Sequence, residues 1–78
     1  MSHRTMRNII HDICDVFYMR IKDLDGSEEA WGEISRIAEE YRIKYDNSRF
    51  AKDLMLAVTG ELERTWEGQN KNGGKNRA

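Results

Sequence analysis

The chain has 78 residues, of which 35% are charged and 38% are hydrophobic, with one cysteine and no proline. This length allows one small domain, and a single cysteine excludes an internal disulfide. Abundant charge without proline favours helices, no apolar run approaches the ~20 residues of a membrane-spanning helix, and the basic start is not a signal peptide. A reducing, cytoplasmic location is therefore expected, without a membrane partner.

Charge is unevenly distributed along the chain. Residues 68–78 carry a net charge of +3 from Lys71, Lys75 and Arg77, whereas residues 1–67 hold ten Lys and Arg against fourteen Asp and Glu. An acidic body with a basic tail differs from the coherent basic face of a dedicated DNA-binding domain. Nucleic acid is therefore a partner that the composition allows but does not favour.

The first amphipathic segment runs from about Arg4 to Asp23. At about 100° per residue, its apolar side chains fall in an arc roughly 160° wide, which predicts a helix that contacts two neighbouring helices. The residues in this arc are Met6, Ile9, Ile10, Ile13, Cys14, Val16, Phe17, Ile21 and Leu24.

Ser27 is a good N-cap after the break at Gly26, and it predicts a second helix from Glu28 to about Tyr45. The apolar positions of this helix share an arc about 120° wide. They are Trp31, Ile34, Ile37, Ala38, Tyr41 and Tyr45.

The turn-forming residues Asp46, Asn47 and Ser48 predict a second break. A third helix follows from about Arg49 to Glu67, and Gly60 in its middle has no explanation from packing inside a bundle. The broad apolar face of this helix holds Phe50, Ala51, Leu54, Met55, Ala57, Val58, Leu62 and Trp66.

These segments predict an all-α, up-down-up three-helix bundle over residues 1–67, because short connections make successive helices antiparallel. Residues 68–78 contain three glycines and no large apolar side chain, so a disordered basic tail is expected there. The shared core is predicted to contain Ile13, Phe17, Trp31, Ile34, Tyr41, Leu54, Val58 and Leu62.

No residue pattern predicts catalysis, a cofactor or a metal site. His11 and Cys14 lie three residues apart on one helix, but His3 is the only other His or Cys in the chain. A zinc site needs three or four ligands, and cysteine catalysis needs an oriented base inside a cleft. We therefore expect a protein that is not an enzyme.

Two charged residues point into apolar arcs. Arg20 lies in the arc of the first helix and Glu61 in that of the third, at similar heights in parallel helices. Inward charges normally need a partner, so a partly buried ion pair between them is predicted. The alternative is a shared site for a ligand or partner.

Four apolar residues show the opposite anomaly. Ile43 and Leu56 point away from the apolar stripes of their helices, and Tyr18 and Met19 flank the arc of the first helix. Single exposed apolar residues are ordinary, whereas several that adjoin would form a partner-binding patch or a homodimer contact. Both interpretations remain open at this point.

Trp31, Tyr41 and the run from Leu54 to Arg64 carry a resemblance to a group of bacterial proteins. Between Glu28 and Trp66 the chain resembles small helical proteins of unknown function from prophages and mobile elements of Firmicutes. The resemblance implies a bacterial or phage cytoplasmic context and no known catalytic residues. Some small phage proteins block host defence complexes, including CRISPR effectors, by binding them.

The resulting hypothesis is a non-enzymatic protein-interaction module, an accessory or inhibitory protein of a phage or mobile element. One alternative is a nucleic-acid-associated regulator that uses basic residues near both termini. Another is a structural homo-oligomer. The basic residues in question are Arg4, Arg7, Lys71, Lys75 and Arg77.

Overall fold

A computed structural model describes the backbone of residues 1–75 and the side chains of residues 1–68. Helix α1 is α-helical over His3–His11, π-helical over Asp12–Phe17 and α-helical again over Tyr18–Ile21; α2 spans Glu28–Lys44 and α3 spans Arg49–Lys75. These three helices, with no strand among the described residues, confirm the predicted up-down-up bundle.

The third helix begins at the predicted residue, Arg49, and its described end lies beyond the predicted end at Glu67. Trp66 is the last buried side chain among residues 1–68. Disorder of residues 68–78 stays a prediction. The side chains after Gly68 and the whole of residues 76–78 lie outside the described part of the chain.

A serine caps the start of each helix in the same way. The hydroxyls of Ser2, Ser27 and Ser48 accept hydrogen bonds from backbone N–H groups three residues later, at 3.1, 3.1 and 3.2 Å. Each bond satisfies one of the N–H groups that the first turn of a helix leaves unpaired. The two serines that follow the breaks thereby fix where α2 and α3 begin.

Gly26 allows the turn between α1 and α2. Its φ of +78° lies in the left-handed region, where a side chain is unfavourable. A Cβ atom at this position would also lie 3.3 Å from the ring of Trp66 on α3. Glycine is therefore required here both by the backbone and by the packing of the third helix over the turn.

The π-helical segment brings one row of α1 side chains into line. Ile9, Ile13, Phe17 and Ile21 follow one another at four-residue intervals, and all four are 0% exposed. In a uniform α-helix each interval of four overshoots a full turn by about 40°, so the row would drift around the helix. The wider π turn, in which the Tyr18 N–H bonds to the carbonyl of Ile13, turns less per residue and cancels the drift.

The buried surface of α1 is consequently narrower than the predicted arc. Ile10, Cys14 and Val16 lie in that arc when every residue turns by 100°, but the structure leaves all three exposed. The predicted arc is therefore wider than the buried surface, because a uniform turn of about 100° per residue ignores the smaller turn per residue of the π segment.

The hydrophobic core lies between the three helices and contains all eight predicted core residues. Four of them are buried and the others pack against these at the edge of the core. Aromatic rings meet edge to face at two levels, Phe17 with Tyr41 at 5.9 Å and Trp31 with Trp66 at 6.0 Å between centroids. The buried side chains among residues 1–68 are Ile9, Ile13, Phe17, Ile21, Ala30, Ile34, Ile37, Tyr41, Ala51, Met55 and Trp66.

Candidate interaction surface

A shallow apolar groove of about 230 Å³ lies between α2 and α3. The ring of Phe17 is 0% exposed and lies at its floor, whereas Leu56 on its α3 side is 60% exposed. Most of the remaining lining is also apolar. The full lining consists of Phe17, Trp31, Ile34, Ser35, Ala38, Lys52, Met55, Leu56 and Thr59.

Small side chains explain why this groove stays open. On α2 its lining includes Ser35 and Ala38, which are too short to fill the space between the helices. On α3 the hydroxyl of Thr59 donates to the carbonyls of Met55 and Leu56, at 2.9 and 3.2 Å. Because these bonds satisfy the hydroxyl within α3, no polar group of Thr59 needs water.

A polar depression of about 440 Å³ continues the groove toward the α2–α3 turn. Its side chains are fixed by hydrogen bonds: Arg42 donates to Glu39 at 2.9 Å and to Asn47 at 2.6 Å. The hydrogen bond from Arg42 holds the pKa of Glu39 below its ordinary value. The groove therefore has an apolar middle and an ion-paired polar end.

Two mid-helix glycines lie outside the lining of both the groove and the polar depression. Apart from the chain neighbours and the adjacent helix backbone, a Cβ atom added at Gly32 on α2 or at Gly60 on α3 would meet no atom within 4 Å. Each glycine costs about 1 kcal/mol relative to alanine in a helix interior. Packing inside the bundle explains neither of them, as the sequence already indicated for Gly60.

Tyr18 and Leu56, two of the four candidate partner-binding residues, lie on different faces. Tyr18 is 38% exposed and lines a depression with Leu62 and Trp66 between α1 and α3, whereas Leu56 lines the α2–α3 groove. The two residues therefore share no common patch.

The other two candidates, Met19 and Ile43, point directly away from the core. Met19 is 55% exposed and lies midway between the fully buried residues Phe17 and Ile21, so it projects from the opposite side of α1. Ile43 is 65% exposed and lies two residues after buried Tyr41. The interpretation that the four residues form one patch is wrong, and only Leu56 belongs to the groove.

The predicted ion pair between Arg20 and Glu61 is also wrong. Arg20 donates instead to both carboxylate oxygens of Glu40 on α2, at 3.0 and 3.3 Å, while Glu61 accepts from Arg64 at 2.6 Å. The π segment rotates Arg20 away from the middle of the apolar arc and toward α2. Its hydrogen bonds raise the pKa of Arg20 and lower that of Glu40.

A second polar contact, at Asp12, joins α1 to the end of α2. The Asp12 carboxylate accepts hydrogen bonds from Lys44 at 2.8 Å and from the hydroxyl of Tyr45. Burial acts to raise the pKa of Asp12, but the bonds from Lys44 and Tyr45 outweigh it and leave the pKa below its ordinary value. Burial and the bond to Asp12 raise the pKa of Tyr45.

Of the candidate nucleic-acid contacts, Arg4 and Arg7 come together at the start of α1. Both are exposed and line a wide depression with His3, Asn8 and His11. The remaining candidates lie outside the described side chains, so the structure does not place them. These are Lys71, Lys75 and Arg77.

The described residues offer no cluster suited to metal chemistry. No three His, Cys, Asp or Glu side chains among them are grouped so that they could hold a metal ion. His11 contacts Asp15 at 3.7 Å, and Cys14 is an exposed free thiol. In the same part of the chain, no helix combines the length and apolar character needed to cross a membrane.

No protein-family model matches the chain, and neither the curated proteins nor the solved structures gave a match. The functional assignment therefore rests on the surface of the bundle itself. Sequence reasoning did not find the groove, although Leu56, an apolar residue outside the apolar face of α3, was a signal for it.

Proposed function

We propose that this bundle acts by non-enzymatic contact with another protein, and that the α2–α3 groove is the contact surface. The observation that carries the proposal is the apolar groove with Leu56 60% exposed on its α3 side. The groove joins the exposed Leu56 to further apolar side chains, and contiguous apolar surface of this kind is what protein contacts cover.

The proposed setting is the cytoplasm of a bacterium that carries a phage or mobile element. There the protein would serve as an accessory protein that binds or inhibits a host complex, such as a CRISPR effector. This part of the proposal rests on the resemblance at Trp31, Tyr41 and the run from Leu54 to Arg64, and it is an analogy between proteins of similar type.

Site-specific photo-crosslinking in bacterial cells tests the contact surface. A photoreactive amino acid replaces Leu56 in the groove in one variant, and Ile43 on the outer side of α2 in a matched control. The two positions are almost equally exposed, at 60% and 65%, so random collision affects them alike. We expect a discrete covalent adduct from position 56 only, and equal adducts or none at both positions would contradict the proposal.

A further inference from the structure

Four residues form a stripe along α3 beside the groove: Lys52, Leu56, Thr59 and Glu63. Their intervals of four, three and four residues place them on one side of a helix, as in the contact seam of a coiled coil. Leu56 and Thr59 occupy the middle of the stripe, and opposite charges occupy its two ends. The stripe spans about 17 Å, since α-helical residues rise about 1.5 Å each.

The charges at the ends of the stripe have no partner within the described part of the chain. Lys52 and Glu63 are both exposed, and no ion pair found among residues 1–68 includes either of them. By contrast, Arg20, Arg36, Arg42 and Arg64 are each paired. The stripe therefore presents a cation and an anion that remain available to another molecule.

This stripe is complementary to itself. Lys52 and Glu63 are equally far along the chain from the midpoint between Ala57 and Val58, and so are Leu56 and Thr59. A two-fold axis through that midpoint would place Lys52 of each copy beside Glu63 of the other. A closed two-fold contact requires such a surface. If one residue of the first copy contacts a second residue of the other copy, the same two residues also make contact with the copies exchanged.

We infer that the groove is covered by a second copy of this chain, with the two α3 helices packed antiparallel around Leu56. The inference rests on the proposed function only for the contact surface, and it names a second copy of the chain, in place of a host complex, as the molecule that covers the groove. Leu56 of each copy packs beside Thr59 of the other and over the apolar groove. The two Lys52–Glu63 pairs close the ends and fix the antiparallel direction, because a parallel arrangement would place like charges together.

The inference also gives Gly60 a role. Gly60 lies one helical turn after Leu56 on α3, beside the point where Leu56 of the other copy would pack, and apart from its chain neighbours and the adjacent helix backbone no atom lies within 4 Å of where its Cβ would be. The absence of a side chain leaves room for the leucine and allows the helices to approach closely. The contact covers only about three helical turns, which is small beside interfaces of stable complexes, so a dimer with micromolar or weaker affinity is expected.

Reciprocal charge reversal tests the inference. The Lys52→Glu variant carries two acidic ends and the Glu63→Lys variant two basic ends, so each should dimerise at least tenfold more weakly than the native chain. Mixed together, the two variants restore both opposite-charge pairs and should form a heterodimer. Sedimentation equilibrium measures the association, and native mass spectrometry with one variant ¹⁵N-labelled identifies the heterodimer. Weakened single variants with a restored mixture are the result that reciprocal pairing of these two positions predicts.

Arg7→Glu and Asp15→Lys are matched controls, because they change the charge equally on exposed parts of α1. Both should dimerise like the native chain, and circular dichroism establishes that every variant is folded. A native chain that stays monomeric up to about 1 mM, or a mixture that fails to associate, would overturn the inference. The proposed function would survive either result if position 56 still crosslinks to a different protein. If that adduct is also absent, both the inference and the proposed function are contradicted.

Discussion

Asp12 and Arg20 lie eight residues apart on α1, yet both reach α2. Asp12 bonds to Lys44 and Tyr45, and Arg20 bonds to Glu40. Eight steps of a uniform α-helix would separate the directions of two side chains by about 80°. The π-helical segment between Asp12 and Phe17 removes this difference in direction. The segment therefore aligns both the buried row and the polar contacts that flank it.

Deleting Asp15 should convert the π segment into regular α-helix with little loss of stability. The deletion would change the spacing of the buried row from four, four and four residues to four, three and four, which is the ordinary apolar repeat of an α-helix. Because Asp15 is exposed, we expect a loss below about 1 kcal/mol in urea denaturation. Deleting Ser35 from α2, which is uniformly α-helical, should instead rotate Ile37 and Tyr41 out of the core and prevent folding. Similar losses from both deletions would contradict this explanation.

Replacement of Phe17 by alanine should destabilise the bundle by about 3–5 kcal/mol, because a fully buried ring is lost and leaves a cavity. Phe17 is 0% exposed and packs edge to face on Tyr41. Urea denaturation measures the loss, and Met19→Ala on the outer side of α1 is the control that should change little. A loss below about 1 kcal/mol at Phe17 would show that α1 is not docked as described.

The contact between Arg20 and Glu40 should appear as coupling in a double-mutant cycle. Arg20→Met and Glu40→Gln remove the two partners of one bidentate ion pair. Their effects on the free energy of unfolding should therefore not be additive. The parallel cycle with Arg20→Met and Glu61→Gln should be additive, because Glu61 pairs with Arg64. Coupling with Glu61 and none with Glu40 would reverse the assignment.

Asp12 should contribute stability that depends on pH. Its pKa in the folded chain lies below the ordinary value, so the carboxylate stabilises the bundle above the unfolded-state pKa of about 3.9, and this contribution is lost as the pH falls through the folded value. The native chain should therefore exceed Asp12→Asn in stability at pH 6, and the gap should narrow toward pH 2. Thermal unfolding across this range tests the sign. A gap that widens on acidification, or one that Asp15→Asn reproduces, would contradict it.

The sequence predicted the helices because their starts are encoded locally. Ser27 and Ser48 cap the helices that follow them, and apolar residues recur at helical spacing. The side-chain partners were less predictable, because they depend on the cumulative rotation along each helix. The sequence analysis assumed a rotation of about 100° at every residue, whereas the π segment changes the direction of every side chain of α1 after Phe17. This error produced the wrong partner for Arg20.

The groove was not predictable because it arises between two helices. Ser35, Ala38 and Thr59 read separately as unremarkable helix residues, and the space appears only when α2 and α3 are placed side by side. Leu56 was singled out as an outward-pointing apolar residue, but it was grouped with Ile43, which points the other way. A helical wheel shows which residues leave the core and does not show which neighbouring helix they lie beside.

Methyl NMR of the purified chain over a dilution series tests most directly whether the groove is the surface that another molecule covers. Leu56, Thr59 and Met55 report on the groove, while Ile43 and Met19 lie on outward faces and are about as exposed as Leu56. We predict that the methyl resonances of the groove shift together with concentration, while those of Ile43 and Met19 stay fixed. Groove resonances that stay unchanged up to about 1 mM, or shifts that appear at Ile43 and Met19 as strongly as in the groove, would contradict the account.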